Sequence, residues 1–499
     1  MDQLPIVRLC SAKAAGRAAG SEALRVDTVV SGIGAWTSRA GPRYQRLADA
    51  IQDMLAREAP PAGTRLPAER ELAQTLEVSR GTVVAAYAEL ASRGTVVRRQ
   101  GSGTRVAADG LAGSEAPRHV YPLLSRFVGA PVPQIDLAFG APYVDDVVWQ
   151  LQGRVPDLLN AGAPAHGYAP LGLPALREGI AKRLSGKGIT AEADNVLVTS
   201  GAQGALALLT GAFVRPGDRV VVEAPTYPGA MELFSRAGAT IVGLPRDHAG
   251  PRPDDLRRAL SGVGAAFVFL IPTCHNPTGS IMHEPRRLEL LRICREHDVT
   301  VIEDLTTSEV LFDGEAPPAL SALDRENVLT VGSFSKVLWG GLRVGWLRAP
   351  RSMILRLGRL KAAHDLGSGL LDQAAVLAAL GDLDAITAQR SAMAGERHQV
   401  LRDALEGRLP EWQLHTPRGG YSLWVRLPHG TGDELAAAAM TRGVAIASGS
   451  ASAPEDRFLD HVRLCFSPPP DLLLEAVDRL AAAWESLATT QSALATTGR

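Results

Sequence analysis

The chain has 499 residues, of which 46% are hydrophobic and 21% charged, and its formal net charge is −1 at pH 7. Single cores stop growing at about 250–300 residues, so more than one domain is expected, and the balance excludes a disordered or membrane-embedded protein. The near-neutral total hides an asymmetry: Gly41–Ala107 holds ten arginines against seven carboxylates, a charge of +3, leaving −4 for everything else. A small basic module is therefore joined to a larger acidic one.

Residues 1–40 mix Ala, Gly, Ser and Arg without sustained periodicity, which predicts a loosely ordered N-terminal extension. From Tyr44 the pattern tightens. Tyr44, Leu47, Ala48, Ile51 and Leu55 share one helical face that ends before Pro60, Pro61 and Gly63. A second helix starts near Pro67 and runs to about Leu76, and Ser79 is placed to cap a third whose core face is Val83, Tyr87, Leu90 and Ala91. Two short β segments follow, Thr95–Arg98 and Thr104–Ala107, joined by Gly101-Ser102-Gly103. Three helices and a β wing over 41–107 predict a winged helix-turn-helix, whose third helix enters the major groove of DNA. Ser79 and Arg80 at the start of that helix can reach phosphates or base edges, and Arg98, Arg99 and Arg105 put positive charge on the wing.

Residues 108–134 are rich in Gly, Pro, Ser and Ala and read as a linker. Beyond them β-rich runs alternate with helical segments: 196–199, 219–222, 240–244, 266–271, 299–302, 328–331 and 343–347. Alternation of this kind predicts an α/β domain with a mostly parallel sheet covered by helices. A final αβ portion carries runs at 421–426, 444–447 and 461–466 and a closing helix from Leu472 to about Leu487. Four cysteines, Cys10, Cys274, Cys294 and Cys465, lie far apart with no C-x-x-C spacing, so neither a disulfide framework nor a metal site is expected. The longest apolar run, Ala265–Ile271, is too short to span a bilayer, and no secretory signal is read at the N-terminus. A cytoplasmic location is expected.

One lysine, Lys336, sits in VGSFSKVLWGGLRVGW between small hydroxyl residues and an apolar, glycine-rich run. A lysine in an enclosed apolar site loses its proton easily, and the neutral amine condenses with carbonyls. Ser200-Gly201-Ala202-Gln203 follows a strand and opens a helix, so its backbone N–H groups and the helix dipole make an anion site. Arg463 lies on a strand opposite the face formed by Val462, Leu464 and Phe466.

The segment PAGTRLPAERELAQTLEVSRGTVVAAYAELASRGTVVRRQGSGT resembles the DNA-binding domain of GntR-family transcription regulators. The resemblance implies DNA contacts at Arg70, Ser79, Arg80, Thr82 and Gly101; Val84 stands where many relatives carry an arginine. Residues 135–499 resemble, over about Ile135–Ala483, a fold-type I aminotransferase that binds pyridoxal 5′-phosphate (PLP). That resemblance implies that Lys336 in GSFSK forms a Schiff base with PLP and that Asp304 in VIEDLTT pairs with the pyridine nitrogen. Asn276 in HNPTG would bond the phenolate oxygen, and Tyr227 in APTYPG would stack on the ring. Ser333, Ser335 and Arg343 would join Ser200, Gly201, Ala202 and Gln203 around the phosphate. Tyr168 in GYAPLGLPALR would reach the phosphate of a neighbouring subunit, and Arg463 would clamp a substrate or effector carboxylate. One departure is plain: Thr306 and Thr307 occupy the positions where relatives place a tyrosine that tunes the cofactor oxygen, which puts efficient transamination in doubt but not cofactor binding.

The whole chain is similar to the MocR subfamily of GntR regulators, a winged helix fused to an aminotransferase-like domain. The similarity implies a PLP-dependent, DNA-binding homodimer that recognises paired half-sites and senses an amine, an amino acid or PLP itself. The alternative is a working PLP-dependent aminotransferase tethered to DNA, with Lys336 as proton shuttle.

Overall fold

The computed structural model describes residues 24, 26–34, 36–38, 42–58, 64–92, 95–99, 103–106, 132–145, 150, 155, 163–262, 264–455 and 457–497. It separates into two units, Met1–Arg118 and His119–Arg499. No helix among the described residues is long and apolar enough to cross a membrane.

In the first unit the described elements are α1 (Val26–Ile33), α2 (Arg43–Glu58), α3 (Glu69–Thr75), α4 (Arg80–Ser92), β1 (Val96–Arg99) and β2 (Gly103–Val106). The periodic residues expected to face inward do so: Leu47, Ile51 and Leu55 of α2 meet Val83, Tyr87 and Leu90 of α4 in one core. Strands β1 and β2 pair antiparallel from Val96–Val106 to Arg99–Gly103, which builds the wing. Part of the expected N-terminal extension behaves otherwise. Val29 and Ile33 of α1 and Trp36 are buried in the same core, and the Leu24 N–H donates to the Arg65 carbonyl at 2.8 Å. An eight-residue helix is unstable alone; the surface of α2 supplies the burial that orders it, and nothing in its own periodicity announces that.

The second unit holds β3 (Ile135–Asp136), α5 (Pro174–Gly186), β4 (Val196–Thr199), α6 (Gly201–Phe213), β5 (Arg219–Ala224), α7 (Pro228–Arg236), β6 (Thr240–Asp247), β7 (Gly250–Pro251), α8 (Pro253–Leu260), β8 (Phe267–Leu270), α9 (Glu284–Glu296), β9 (Val301–Asp304), α10 (Leu320–Leu323), β10 (Val328–Ser333) and β11 (Gly345–Arg348). There follow α11 (Arg351–Asp365), α12 (Leu370–Ala379), α13 (Leu383–Arg408), β12 (Gln413–Leu414), β13 (Ser422–Arg426), α14 (Gly432–Met440), β14 (Val444–Ala445), β15 (Ala447–Ser448), β16 (His461–Cys465) and α15 (Pro470–Thr497). Eight strands form one sheet in the order β4-β11-β10-β9-β8-β5-β6-β7. Its central strands β10, β9, β8, β5 and β6 run parallel, and β11 enters antiparallel between β10 and β4. Strands β4, β8 and β9 are buried along their whole length, as expected of a sheet covered on both faces.

A smaller sheet, β12-β13-β16-β15, follows α13 and packs Leu423, Val425, Val462 and Leu464 into a separate core with α13 and α15. Several expected strand limits move, two of them with structural consequences. The run expected at 299–302 pairs over Val301–Asp304, so Asp304 ends the strand instead of following it. The run 444–447 divides at Ile446: Val444–Ala445 pairs with β3 and Ala447–Ser448 with β16. Apolar patterning marks a buried strand but not the neighbour it joins.

Candidate functional site

Three parallel or adjacent strand ends create the site, as open α/β sheets place ligands beyond the carboxyl ends of their strands. Val331 of β10 is in register with Asp304 of β9, so Lys336, five residues further on, leaves the sheet beside that carboxylate. Ser333 is in register with Gly345 and Gly345 with Thr199, so Ser333, Gly345 and Ser200 meet at the same edge.

Lys336 is enclosed, and burial pushes its ammonium down to about 8; Arg463 and Arg343 add to the fall, while Cys465 and Asp304 oppose it. Its Nζ donates to the Gly140 carbonyl at 2.5 Å. Asp304 is buried, and burial raises its carboxyl above the ordinary range although the Thr306 hydrogen bonds and Lys336 hold it back. The Thr306 N–H donates to Asp304 Oδ1 at 2.8 Å. A carboxylate in that position, needing a cation to offset its burial, suits a protonated ring nitrogen.

The anion site is built by close approach. A Cβ on Gly345 would lie 2.7 Å from the Ala202 nitrogen, and one on Gly201, whose φ is +74°, would lie 2.7 Å from Arg343 Nη2. Arg343 itself is left-handed, φ 48°, and donates to the Ser200 carbonyl at 3.0 Å. Ser333 and Ser335 hydroxyls stand 2.9 Å apart, and Ser200 Oγ lies 3.3 Å from Ser368 Oγ. These hydroxyls, the guanidinium and the free N–H groups at the start of α6 converge as a phosphate receptor does. Gln203 holds the Gly229 carbonyl at 2.9 Å, and its buried Oε1 has no partner among the described residues.

Tyr227 caps the start of α7, and its ring lies 2.5 Å from where a Cβ on Gly229 would sit. Burial, with Asp304 adding to it, pushes its phenol up to about 12, so it stays neutral. Asn276 follows from the loop after β8. Glu223 of β5 accepts from the Ile271 N–H at 2.6 Å and pairs with Arg246, which donates to Ser280 at 2.8 Å; this buried pair fixes both ends of the loop. Asn276 Oδ1 accepts from Arg463 Nη1 at 3.0 Å. Arg463 is buried, its Nη2 donates to the Ala138 carbonyl, and its Nε has no partner among the described residues. A buried guanidinium with a spare donor is suited to a carboxylate.

Lys336, Asp304, Asn276, Tyr227, Arg343, Arg463, the two serines and residues 200–203 are thus brought together. Tyr168 is not: it is 57% exposed and stacks on His166. Thr307 turns away to the Cys274 carbonyl at 2.8 Å. Sequence reasoning missed Gly140, Tyr421, whose hydroxyl donates to the Lys336 carbonyl at 2.8 Å, and Arg390 and Asp145, whose sequence separation leaves no local signal. Among the described residues no cluster suited to a metal occurs, and Cys274, Cys294 and Cys465 are free and buried.

In the first unit, Ser79 caps α4: its Oγ accepts from the Thr82 N–H at 3.1 Å and lies 2.8 Å from the Thr82 hydroxyl. Arg70 is exposed on α3, and Arg80, 60% exposed, pairs with Glu69 at 3.3 Å, an exposed pair worth about 0–1 kcal/mol and easily exchanged for a phosphate. Gly101 lies outside the described residues, as do the side chains of Arg98 and Arg99. Arg65, not anticipated, lies at the base of the wing, 2.7 Å from where a Cβ on Gly103 would sit.

Residues 132–480 match the aminotransferase class I and II family, and residues 43–106 match the gntR family of bacterial regulatory proteins. The chain is 30% identical over 407 residues to an uncharacterized HTH-type transcriptional regulator, YisV of Bacillus subtilis, covering 77% of this chain and 84% of that protein. It is 31% identical over 354 residues to the probable rhizopine catabolism regulatory protein MocR of Rhizobium meliloti, covering 67% and 71%. Among solved structures it is similar to LysN, an α-aminoadipate aminotransferase of Thermus thermophilus in complex with N-(5′-phosphopyridoxyl)-L-leucine. The TM-score is 0.66 and the identity 28%, covering 71% of this chain and 93% of that one. With a winged helix and a fold-type I aminotransferase domain in one polypeptide, the chain belongs to the MocR-type regulators of the gntR family.

Proposed function

We propose that this chain is a transcription regulator that binds DNA through its winged helix and holds PLP covalently on Lys336, sensing an amine, an amino acid or PLP itself. The observation that carries the reading is the enclosure of Lys336, an amine brought down to about 8, beside the buried Asp304. The surrounding residues fit the cofactor: the cradle at Gly201 and Gly345 leaves no room for a Cβ, and Arg463 Nε and Gln203 Oε1 are buried donors and acceptors still unpaired among the described residues. When bound, PLP supplies an aldehyde that reacts with amines and a pyridine ring that draws electrons.

The chain's own groups then divide the work. Asp304 keeps a proton on the ring nitrogen, and Tyr227 covers the ring face. Asn276 offers its amide to the ring oxygen, while Ser200, Ser333, Ser335, Arg343 and the N–H groups of residues 201–203 take the phosphate. Arg463 receives a carboxylate from the effector. Lys336, whose ammonium burial brings down to about 8, supplies the neutral amine that would join the cofactor. Arg70, Ser79, Arg80, Thr82 and Gly101 contact the DNA, and a homodimer places two winged helices on paired half-sites, with Tyr168 reaching the site of the other subunit.

Borohydride reduction of the protein after incubation with PLP tests the cofactor assignment. A mass increase confined to the peptide containing Lys336 is expected; no increase, or one spread over many lysines, would overturn it. Steady turnover of an amino acid with a 2-oxo acid would instead favour an active aminotransferase.

A further inference from the structure

The segment 138–145 crosses the site as a strap and is held at four points. The Ala138 carbonyl accepts from Arg463, the Gly140 carbonyl accepts from Lys336 Nζ at 2.5 Å, and the Ala141 N–H donates to Ser467 Oγ at 2.9 Å. At its end Asp145 takes the two terminal nitrogens of Arg390 at 2.5 and 3.0 Å. The remaining nitrogen of Arg390, Nε, donates to the Val337 carbonyl at 2.9 Å, one residue beyond Lys336. The strap lies close on the site at Gly140, where a Cβ would lie 2.8 Å from Tyr421 Cβ and 3.3 Å from Cys465 Sγ.

Arg390 therefore grips both the peptide that carries the lysine and the strap that caps its amine. Its side chain is 2% exposed, and a planar bidentate fork holds its partner in one geometry. We propose that Arg390 and Asp145 are positioning residues for Lys336, fixing the strap so that the Gly140 carbonyl orients the amine and the strap shuts water away from it. With one N–H tied to Gly140, the lone pair of the neutral amine points away from the strap. With the strap closed, water cannot support the ammonium, and burial is the largest influence on this group. The other charged or titratable groups facing it are Cys465 and Arg463 from β16, Asp304 from β9 and Arg343.

The test measures Lys336 itself on the full-length protein without added PLP: its rate of acetylation by acetic anhydride across pH, read by peptide mass spectrometry. In the wild-type protein the rate should rise with a midpoint near 8. Asp145→Asn should let the strap loosen and water enter, moving the midpoint up by about one unit; the midpoint is the reading, because a loosened strap also admits the reagent and changes the absolute rate. Asp145→Glu should restore most of the wild-type profile. An unchanged profile in Asp145→Asn, with or without a lower melting temperature, would reduce the pair to a structural tie. Should Asp145→Asn fail to fold, Arg390→Lys gives the same reading, since it keeps the charge and loses the fork. The proposal rests on Lys336 being the cofactor lysine, but acetylation needs no PLP: a midpoint shift in a protein that takes up no PLP would refute that assignment and leave the positioning intact.

Discussion

Replacing Lys336 by methionine should stabilise the cofactor-free protein at pH 7, although it removes the residue on which function depends. The ammonium is lowered from 10.5 to about 8 by burial, which corresponds to a penalty on the charged form of about 3 kcal/mol. Methionine has a similar reach and no charge to desolvate. For a unit the size of His119–Arg499, a gain of about 3 kcal/mol raises the melting midpoint by about 4 °C. The pH dependence gives the sharper reading. Below pH 8 the lysine is protonated folded and unfolded, and the full penalty applies. Between 8 and 10.5 the unfolded chain binds more protons than the folded one, so wild-type stability rises with pH and the gap to Lys336→Met closes. Calorimetric melts of both proteins from pH 7 to pH 10 follow that gap. A Lys336→Met protein less stable than wild type at pH 7, or a gap that ignores pH, would refute the enclosure of the amine.

Gly201→Ala should lose most PLP affinity and some stability, because its Cβ would meet Arg343 at 2.7 Å and left-handed backbone costs alanine about 1–2 kcal/mol; fluorescence titration with PLP and melts check both. Ser79→Ala should destabilise the winged helix by about 1 kcal/mol through loss of the cap on α4, read by melting. Arg80→Ala should reduce the slope of log affinity for DNA against log salt by about 1, as expected for one lost phosphate contact. Arg463→Lys should weaken amino-acid binding at least tenfold by isothermal titration while sparing PLP uptake, because a point charge cannot replace the fork held by Asn276 and Ala138.

Most of the candidate site is legible through the resemblance to fold-type I aminotransferases, with local pattern as support where its residues lie at strand ends. Asp304 and Lys336 close the apolar runs of neighbouring strands, and Ser79 precedes a periodic helix, so each carries its own context. The strap does not. Gly140 and Lys336 are 196 positions apart and Asp145 and Arg390 are 245 apart, and no periodicity in either segment points to the other. Tyr421 likewise reads as one more strand aromatic until its hydroxyl is found on the Lys336 carbonyl. The helix over Val26–Ile33 was missed for another reason: it is too short to declare itself, and its order comes from burying Val29 and Ile33 against α2. The split of 444–447 between two sheets was hidden because both halves are equally apolar.

The measurement that reaches furthest is the affinity of the protein for DNA from its own upstream region, with and without PLP, in the wild type and in Lys336→Met. The account predicts that PLP, alone or together with candidate amines and amino acids, changes the affinity of the wild type and leaves that of Lys336→Met where it was. Equal responses in the two proteins, or none in either, would contradict it.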